Sequence, residues 1–248
     1  MPRYGWRPDL PDHRDILYSS GKPDLSSLPT EVDLRRGPIA DIKDQGNLGS
    51  CTGNGWAFLI ETMAKRHGDY AGPVSRLWVY YHERIFDNAL LEDNGAQIRN
   101  GAKVLASQGV PLESVWPYDI NRFAVLPSAE AFRTAVLHKL PGYRRIVSTS
   151  ECKHALASGF PVVFGFTVYQ SFDEASHGAA PIPGPNERVE GGHCVVRVGY
   201  SDRKKAWLCA NSWGTDWGMA GYFWLPYAFD SMGLCDDFWT VNPKGGDS

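Results

Sequence analysis

The chain has 248 residues, 43% of them hydrophobic and 21% charged, with a formal net charge of -3 at pH 7. That length supports one large domain or two small ones around packed cores, with the composition of an ordinary globular enzyme. The slight acidity argues against a broad basic face for nucleic acid, and no apolar run is long enough to span a bilayer.

Residues 1–27 read as a lead-in outside the core. Pro2, Pro8, Pro11 and Pro23 punctuate it, and the charges Arg7, Asp9, Asp12, Arg14 and Asp15 show no apolar periodicity. Its start, Met1-Pro2-Arg3-Tyr4-Gly5-Trp6, lacks the apolar stretch of a secretory signal, so the compartment stays unassigned. Residues 28–248 are expected to form one domain, with a helical half over about 45–140 and a sheet half over about 141–240. Trp56, Leu59, Ile60 and Met63 recur at helical spacing and predict a helix over 51–67, stopped by Gly68. Further helices are predicted over 75–89 and 97–108, the latter carrying Ile98, Ala102 and Leu105 on one face. The turn at Glu92-Asp93 between them reads as solvated. Two more helices follow, over 128–137 with Ser128 as its cap and over 149–158. The texture then changes to β-rich runs over 161–168, 194–200, 206–210 and 222–225, each bounded by Gly, Asp or Asn, with a Gly/Pro-rich loop over 171–190. Helices first and strands later predict an α+β fold with a reaction centre in the cleft between its halves.

The five cysteines are Cys51, Cys152, Cys194, Cys209 and Cys235. Their spacing forms no CxxC pair and no zinc pattern, so neither a metal nor an organic cofactor is implied. With Cys51 kept free, the other four leave three disulfide connectivities open. The plainer reading makes Cys194 and Cys209 buried small residues in strands.

Cys51 is the residue that carries chemistry. It opens the first predicted helix, where unpaired amides and a partial positive charge stabilise a thiolate. Gln45 lies six residues ahead of it, and His193 and then Asn211 follow far downstream. Each type answers a need: a thiolate attacks a carbonyl, an imidazole moves the proton, one amide orients the imidazole, and another donates to the oxyanion. That chain order is the order of a thiol protease. A Cys–His acyl transferase of another fold is disfavoured by the Gln45 spacing and by Asn211-Ser212-Trp213-Gly214. A non-catalytic binding or storage protein is disfavoured by the presence of Cys51.

From about residue 28 to 240 these residues resemble the papain family of cysteine peptidases. Leu28-Pro29-Thr30-Glu31-Val32-Asp33 resembles the family's mature start, and Gln45-Gly46, Gly49-Ser50-Cys51 and Trp56-Ala57-Phe58 its nucleophile block. Asn94-Gly95-Ala96 resembles the strip that pairs with substrate backbone, and Gly192-His193 and Asn211-Ser212-Trp213-Gly214 complete the set. The resemblance implies a two-subdomain fold and a peptidase acting through a Cys51 acyl-enzyme. It implies His193 as acid and base, Asn211 as its orienter, Gln45 as oxyanion donor and Trp213 as a cover over the Asn211–His193 contact. Asn94, Gly95, Ala96 and Gly192 are then the candidates for backbone pairing with substrate. The chain departs from the family pattern at Thr52, at an apparent insertion Gly53-Asn54-Gly55 before Trp56, and at Leu48, where relatives carry a disulfide cysteine.

The chain is expected to act as a monomer on peptide or protein substrates, as an endopeptidase. The lead-in is shorter than the family's usual inhibitory segment. Its position and the aromatic residues Tyr4, Trp6 and Tyr18 nevertheless predict a strap that lies across the cleft and regulates access. The alternative is a strap that only adds stability.

Overall fold

The computed structural model describes residues 4–21, 24 and 27–241. All five predicted helices form close to their expected limits: α1 (Cys51–His67), α2 (Arg76–Phe86), α3 (Ile98–Ser107), α4 (Ala129–Ala135) and α5 (Thr149–Ala157). Local chemistry sets their ends. The hydroxyls of Ser75, Ser128 and Ser148 accept first-turn amides of α2, α4 and α5, the usual N-cap arrangement. Gly68 closes α1 in the left-handed region, at φ 81°.

Among the described residues, seven strands form one antiparallel sheet: β1 (Glu31–Asp33), β2 (Tyr143–Ile146), β3 (Val162–Tyr169), β4 (Val189–Ser201), β5 (Ala206–Ala210), β6 (Tyr222–Pro226) and β7 (Cys235–Val241). The order is β2-β7-β3-β4-β5-β6, with β1 paired to β4. A short helix, α6 (Ala228–Ser231), precedes β7. The fold is thus α+β. The helices α1–α3 pack on one another, the sheet makes the second half, and α1 lies against β3 and β4 where the halves meet. Among the described residues, no helix is long and apolar enough to cross a membrane.

Four expectations need correction. Strand β4 begins before Cys194, so His193 lies within a strand, paired with Phe166 of β3. The expected loop over 171–190 includes a 3-10 helix, Gln170–His177. Gly53-Asn54-Gly55 is no disruption, because these residues are ordinary turns of α1. A Cβ on Gly53 would fall 2.7 Å from the Arg76 carbonyl oxygen, and one on Gly55 would fall 3.0 Å from Val163 and 3.1 Å from the Cys194 sulfur. Helical glycine costs about 1 kcal/mol relative to alanine; here it lets α1 approach α2 on one side and the sheet on the other.

The fourth correction concerns the lead-in. Trp6 and Tyr18 are buried and belong to the hydrophobic core. The segment runs from the cleft past α3 and β7 to β2, where Leu17 bridges Arg145 and the Arg145 amide donates to the Ile16 carbonyl at 2.9 Å. Tyr18 Oη then meets His154 Nδ1 at 2.8 Å. Trp6 and Tyr18, expected as anchors of a surface strap, instead make the segment part of the folded body.

Candidate active site

Cys51 is the first residue of α1 and His193 lies in β4, so the two come from facing halves of the molecule. Asn211 directly follows β5, and Gln45 precedes α1 by one short loop. The Ser50 hydroxyl does not cap α1. It is drawn instead to Tyr118 Oη at 2.6 Å and to Asn54 Nδ2 at 3.1 Å, and the helix begins at Cys51 without a side-chain cap.

His193 Nε2 lies 2.8 Å from Asn211 Oδ1, which also accepts the Ser212 amide at 2.8 Å. These contacts fix the amide so that its oxygen faces the imidazole. The Trp213 ring stacks on His193 with centroids 4.8 Å apart and planes at 25°. Gln45 is fully buried and held at both ends. Its Nε2 donates to the Leu48 carbonyl at 2.8 Å, and its Oε1 accepts the Ser212 hydroxyl at 2.6 Å. Behind it, Tyr118 Oη donates to the Gln45 carbonyl at 2.8 Å, and the Arg76 guanidinium lies over the Tyr118 ring at 3.9 Å. Ser212 was not singled out in the sequence, yet it touches both Gln45 and Asn211.

The cleft is filled by the chain itself. The Ala96 amide donates to the Gly5 carbonyl at 2.8 Å, and the Arg7 amide donates to the Ala96 carbonyl at 3.0 Å. From the opposite wall, the Gly192 carbonyl accepts the Trp6 amide at 2.8 Å. A Cβ on Gly5 would fall 1.8 Å from the Gly49 oxygen, so only glycine passes at this point. Tyr4 lays its ring edge against His193, 6.0 Å between centroids, and near Trp213 at 6.1 Å.

Of the residues proposed to pair with substrate backbone, Ala96 and Gly192 hydrogen-bond the strap, and Gly95 packs directly on Gly5. Asn94 is not brought to it: the side chain is exposed and donates to Glu92. The neighbouring Asp93, expected in a solvated turn, accepts the Gly49 amide at 3.0 Å and the Tyr80 hydroxyl at 2.5 Å. It therefore anchors the loop that leads to Cys51.

This occlusion sets the electrostatics. Cys51 and His193 are fully buried. Burial pushes the Cys51 thiol up to about 12, opposed by backbone amides of Cys194, Gly5 and Thr52 at the sulfur. Burial pushes His193 down to about 4, opposed by its contact with Asn211. The closed form therefore holds a neutral thiol and a neutral imidazole, not the ion pair that the residue types alone suggest. His193 Nδ1 has no hydrogen-bond partner among the described residues.

The strap is held away from the cleft as well. Asp237 Oδ2 accepts Trp6 Nε1 at 3.0 Å and the Asp9 amide at 2.7 Å. Asp9 accepts the Arg99 amide at 3.1 Å and Trp239 Nε1 at 2.9 Å. Asp15 pairs with Arg99 at 2.6 Å and with Arg145 at 3.1 Å. All five cysteines are free, and Cys194 and Cys209 are buried within strands.

Over residues 28–237 the chain matches the papain family cysteine proteases. It is 36% identical over 96% of its length to an uncharacterised peptidase-like protein of Acanthamoeba polyphaga mimivirus, covering 86% of that protein. It is 33% identical to cathepsin K of Gallus gallus, over 82% of this chain and 60% of that one. Among solved structures, xylellain, a cysteine protease from Xylella fastidiosa, superposes with a TM-score of 0.89 at 37% identity, covering 96% of this chain and 95% of xylellain.

Proposed function

The chain belongs to the papain family of cysteine proteases, and on that premise we propose an endopeptidase that works through Cys51, His193, Asn211 and Gln45 and is held closed by its own N-terminal segment. Peptide-bond hydrolysis comes with the family. The assignment of roles rests on geometry and chemistry together.

In the open cleft, the Cys51 thiol passes its proton to His193, and the thiolate attacks the substrate carbonyl carbon, so that a C–S bond forms as the C=O π-pair moves onto oxygen; that pair re-forms the C=O when the C–N bond breaks. The Cys51 amide and the Gln45 side chain donate to that oxyanion. His193 gives its proton to the leaving amine as the C–N bond breaks. Water then attacks the thioester with His193 as base, and the acid product leaves with the thiol restored. Asn211 keeps the imidazole in one plane and one tautomer, and Trp213 shields that contact from water. Asp93, Tyr118 and Ser212 hold the loops that carry Cys51 and Gln45.

The observation that carries the gating reading is the pairing of residues 5–7 with Ala96 and Gly192 directly over the nucleophile. An extended peptide segment already occupies the groove where a substrate peptide must lie. The same fact supports endopeptidase action, because a chain passes the nucleophile without ending there. The test compares full-length wild type, Gly5→Val and the double variant Gly5→Val/Cys51→Ala on a casein digest. Hydrolysis that rises in Gly5→Val and vanishes in the double variant is the expected result. Equal rates in the first two would leave a strap that only stabilises. Hydrolysis surviving Cys51→Ala would remove the nucleophile assignment.

A further inference from the structure

The strap also identifies what the groove reads. The Trp6 side chain leaves the backbone pairing and fills a pocket beside the nucleophile, where it is 9% exposed. The pocket exists because two residues of its wall lack side chains. A Cβ on Gly165 would fall 2.0 Å from the indole ring, and one on Gly192 would fall 2.8 Å from it. At its end stands the carboxylate of Asp237, which is 1% exposed and accepts the indole N–H at 3.0 Å.

The backbone is shaped to put that carboxylate there. The β3–β7 register shifts between Val163 and Gly165, so that Val163 faces Trp239 and Gly165 faces Asp236. Asp237 occupies the bulge in the left-handed region, at φ 56°. Bulges of this kind re-aim a side chain at the edge of a site. Among the described residues, both groups that donate to Asp237 Oδ2, Trp6 Nε1 and the Asp9 amide, belong to the strap. When the strap leaves, Oδ2 loses both. Oδ1 keeps Arg145, at 3.1 Å, which already balances the charge.

We propose that this pocket is a specificity subsite and that Asp237 selects in it a large, flat, neutral side chain bearing an N–H donor, tryptophan above all. The inference rests on the reading of the strap as an occupant of the substrate groove. A substrate indole restores the hydrogen bond that the strap indole makes. Phenylalanine fills the space but leaves a buried acceptor unpaired, and a site built around a hydrogen bond rejects such analogues strongly. A cationic guest gains less, because the Arg145 guanidinium already pairs with Asp237 at 3.1 Å.

The test scans a fluorogenic peptide set with the full-length protein. At each position around the scissile bond it compares tryptophan, phenylalanine, arginine and 3-benzothienylalanine, in which sulfur replaces the indole N–H. The ratio of kcat/KM values between two peptides does not depend on the fraction of molecules that are open, so it can be read in wild type and in Gly5→Val alike. At one position tryptophan is expected to exceed benzothienylalanine by about tenfold or more. In Asp237→Gly, which suits the left-handed backbone, the ratio should collapse towards one. A ratio near one at every position in wild type overturns the proposal, as does a preference for arginine, or a ratio that survives in Asp237→Gly. Failure of Gly5→Val to raise the rates counts against the gate and not against the subsite, because the ratio is measured independently.

Discussion

A thiol and an imidazole that must exchange a proton need an environment that tolerates their charged forms, and residues 4–7 remove that environment from Cys51 and His193. Helix position favours the Cys51 thiolate, yet burial outweighs it in the closed form and lifts the thiol to about 12. Once the strap leaves, the desolvation that neutralises both groups leaves with it. Activity in Gly5→Val should then follow a bell in pH, with limbs that belong to the coupled pair. A single alkaline limb would mean that no ion pair forms. Cys51→Ala should lower hydrolysis by roughly 10⁴-fold or more. It should change stability by only about 1 kcal/mol, since one small atom is lost from a packed site. His193→Ala should cost about 10²–10⁴-fold in kcat. Asn211→Ala should cost less, because the imidazole keeps its proton and loses only its orienting partner; equal losses would give Asn211 a different role. The four catalytic candidates could be picked out in the sequence because chemistry restricts their types and because their order resembles that of the papain family. Asp237 was not, because its carboxylate matters through a bulge that no local pattern announces.

At the level of elements, the strap is the part whose docking can be tuned. A valine at position 5 must clash with Gly49, since even a Cβ falls 1.8 Å from its oxygen. Gly5→Val should therefore displace the segment and speed alkylation of Cys51 by iodoacetamide by about tenfold or more, the effect of 1.4 kcal/mol or more against docking. Docking is also expected to depend on pH. Burial beside the charge of Asp237 pushes the Asp9 carboxyl up from 3.8 to about 7. Arg99, Arg145 and Trp239 face the same group and oppose the rise, while Asp15 and Asp236 lie nearby. A free strap returns Asp9 to its ordinary value, so docking takes up a proton between these limits. Docking should be strongest below about pH 4 and weaken as pH rises through about 7. Hydrogen exchange at the Ala96 amide, which donates to Gly5, reads this directly. Protection that falls from pH 5 to pH 8 in wild type but not in Asp9→Asn is the expected result; protection unchanged with pH would exclude Asp9 as the sensor. The helices were legible from their apolar spacing and, for α4, from its Ser128 cap. Strands β1, β2 and β7 were not, because Glu31-Val32-Asp33, Tyr143-Arg144-Arg145 and Cys235-Asp236-Asp237 are short or charged and are defined by their partners.

For the whole molecule, the strap joins the two halves. It pairs with Ala96 beside α3, with Gly192 on β4, with Asp237 on β7 and with Arg145 on β2. Opening should therefore trade stability for activity. Gly5→Val is expected to melt earlier, by about 2–4 °C for each kcal/mol of docking lost. A melting temperature equal to that of wild type, together with higher activity, would mean that the strap blocks without bracing. The change from helical to β-rich texture in the sequence gave away the two halves and the cleft between them. The strap's course across the cleft was expected from its position and its aromatic residues, but its docking contacts could not be read there, because they depend on Gly5, Trp6 and Asp9 meeting Ala96, Asp237 and Arg99, more than 80 positions away. The central claim, that Cys51 is a protease nucleophile kept under the strap, is most directly tested by labelling with an epoxysuccinyl thiol-protease inhibitor and locating the adduct by mass spectrometry in wild type and Gly5→Val. One adduct is expected, on Cys51, formed faster in Gly5→Val and lost in Cys51→Ala. An adduct on the half-buried Cys235 instead, or none in Gly5→Val, would contradict that claim.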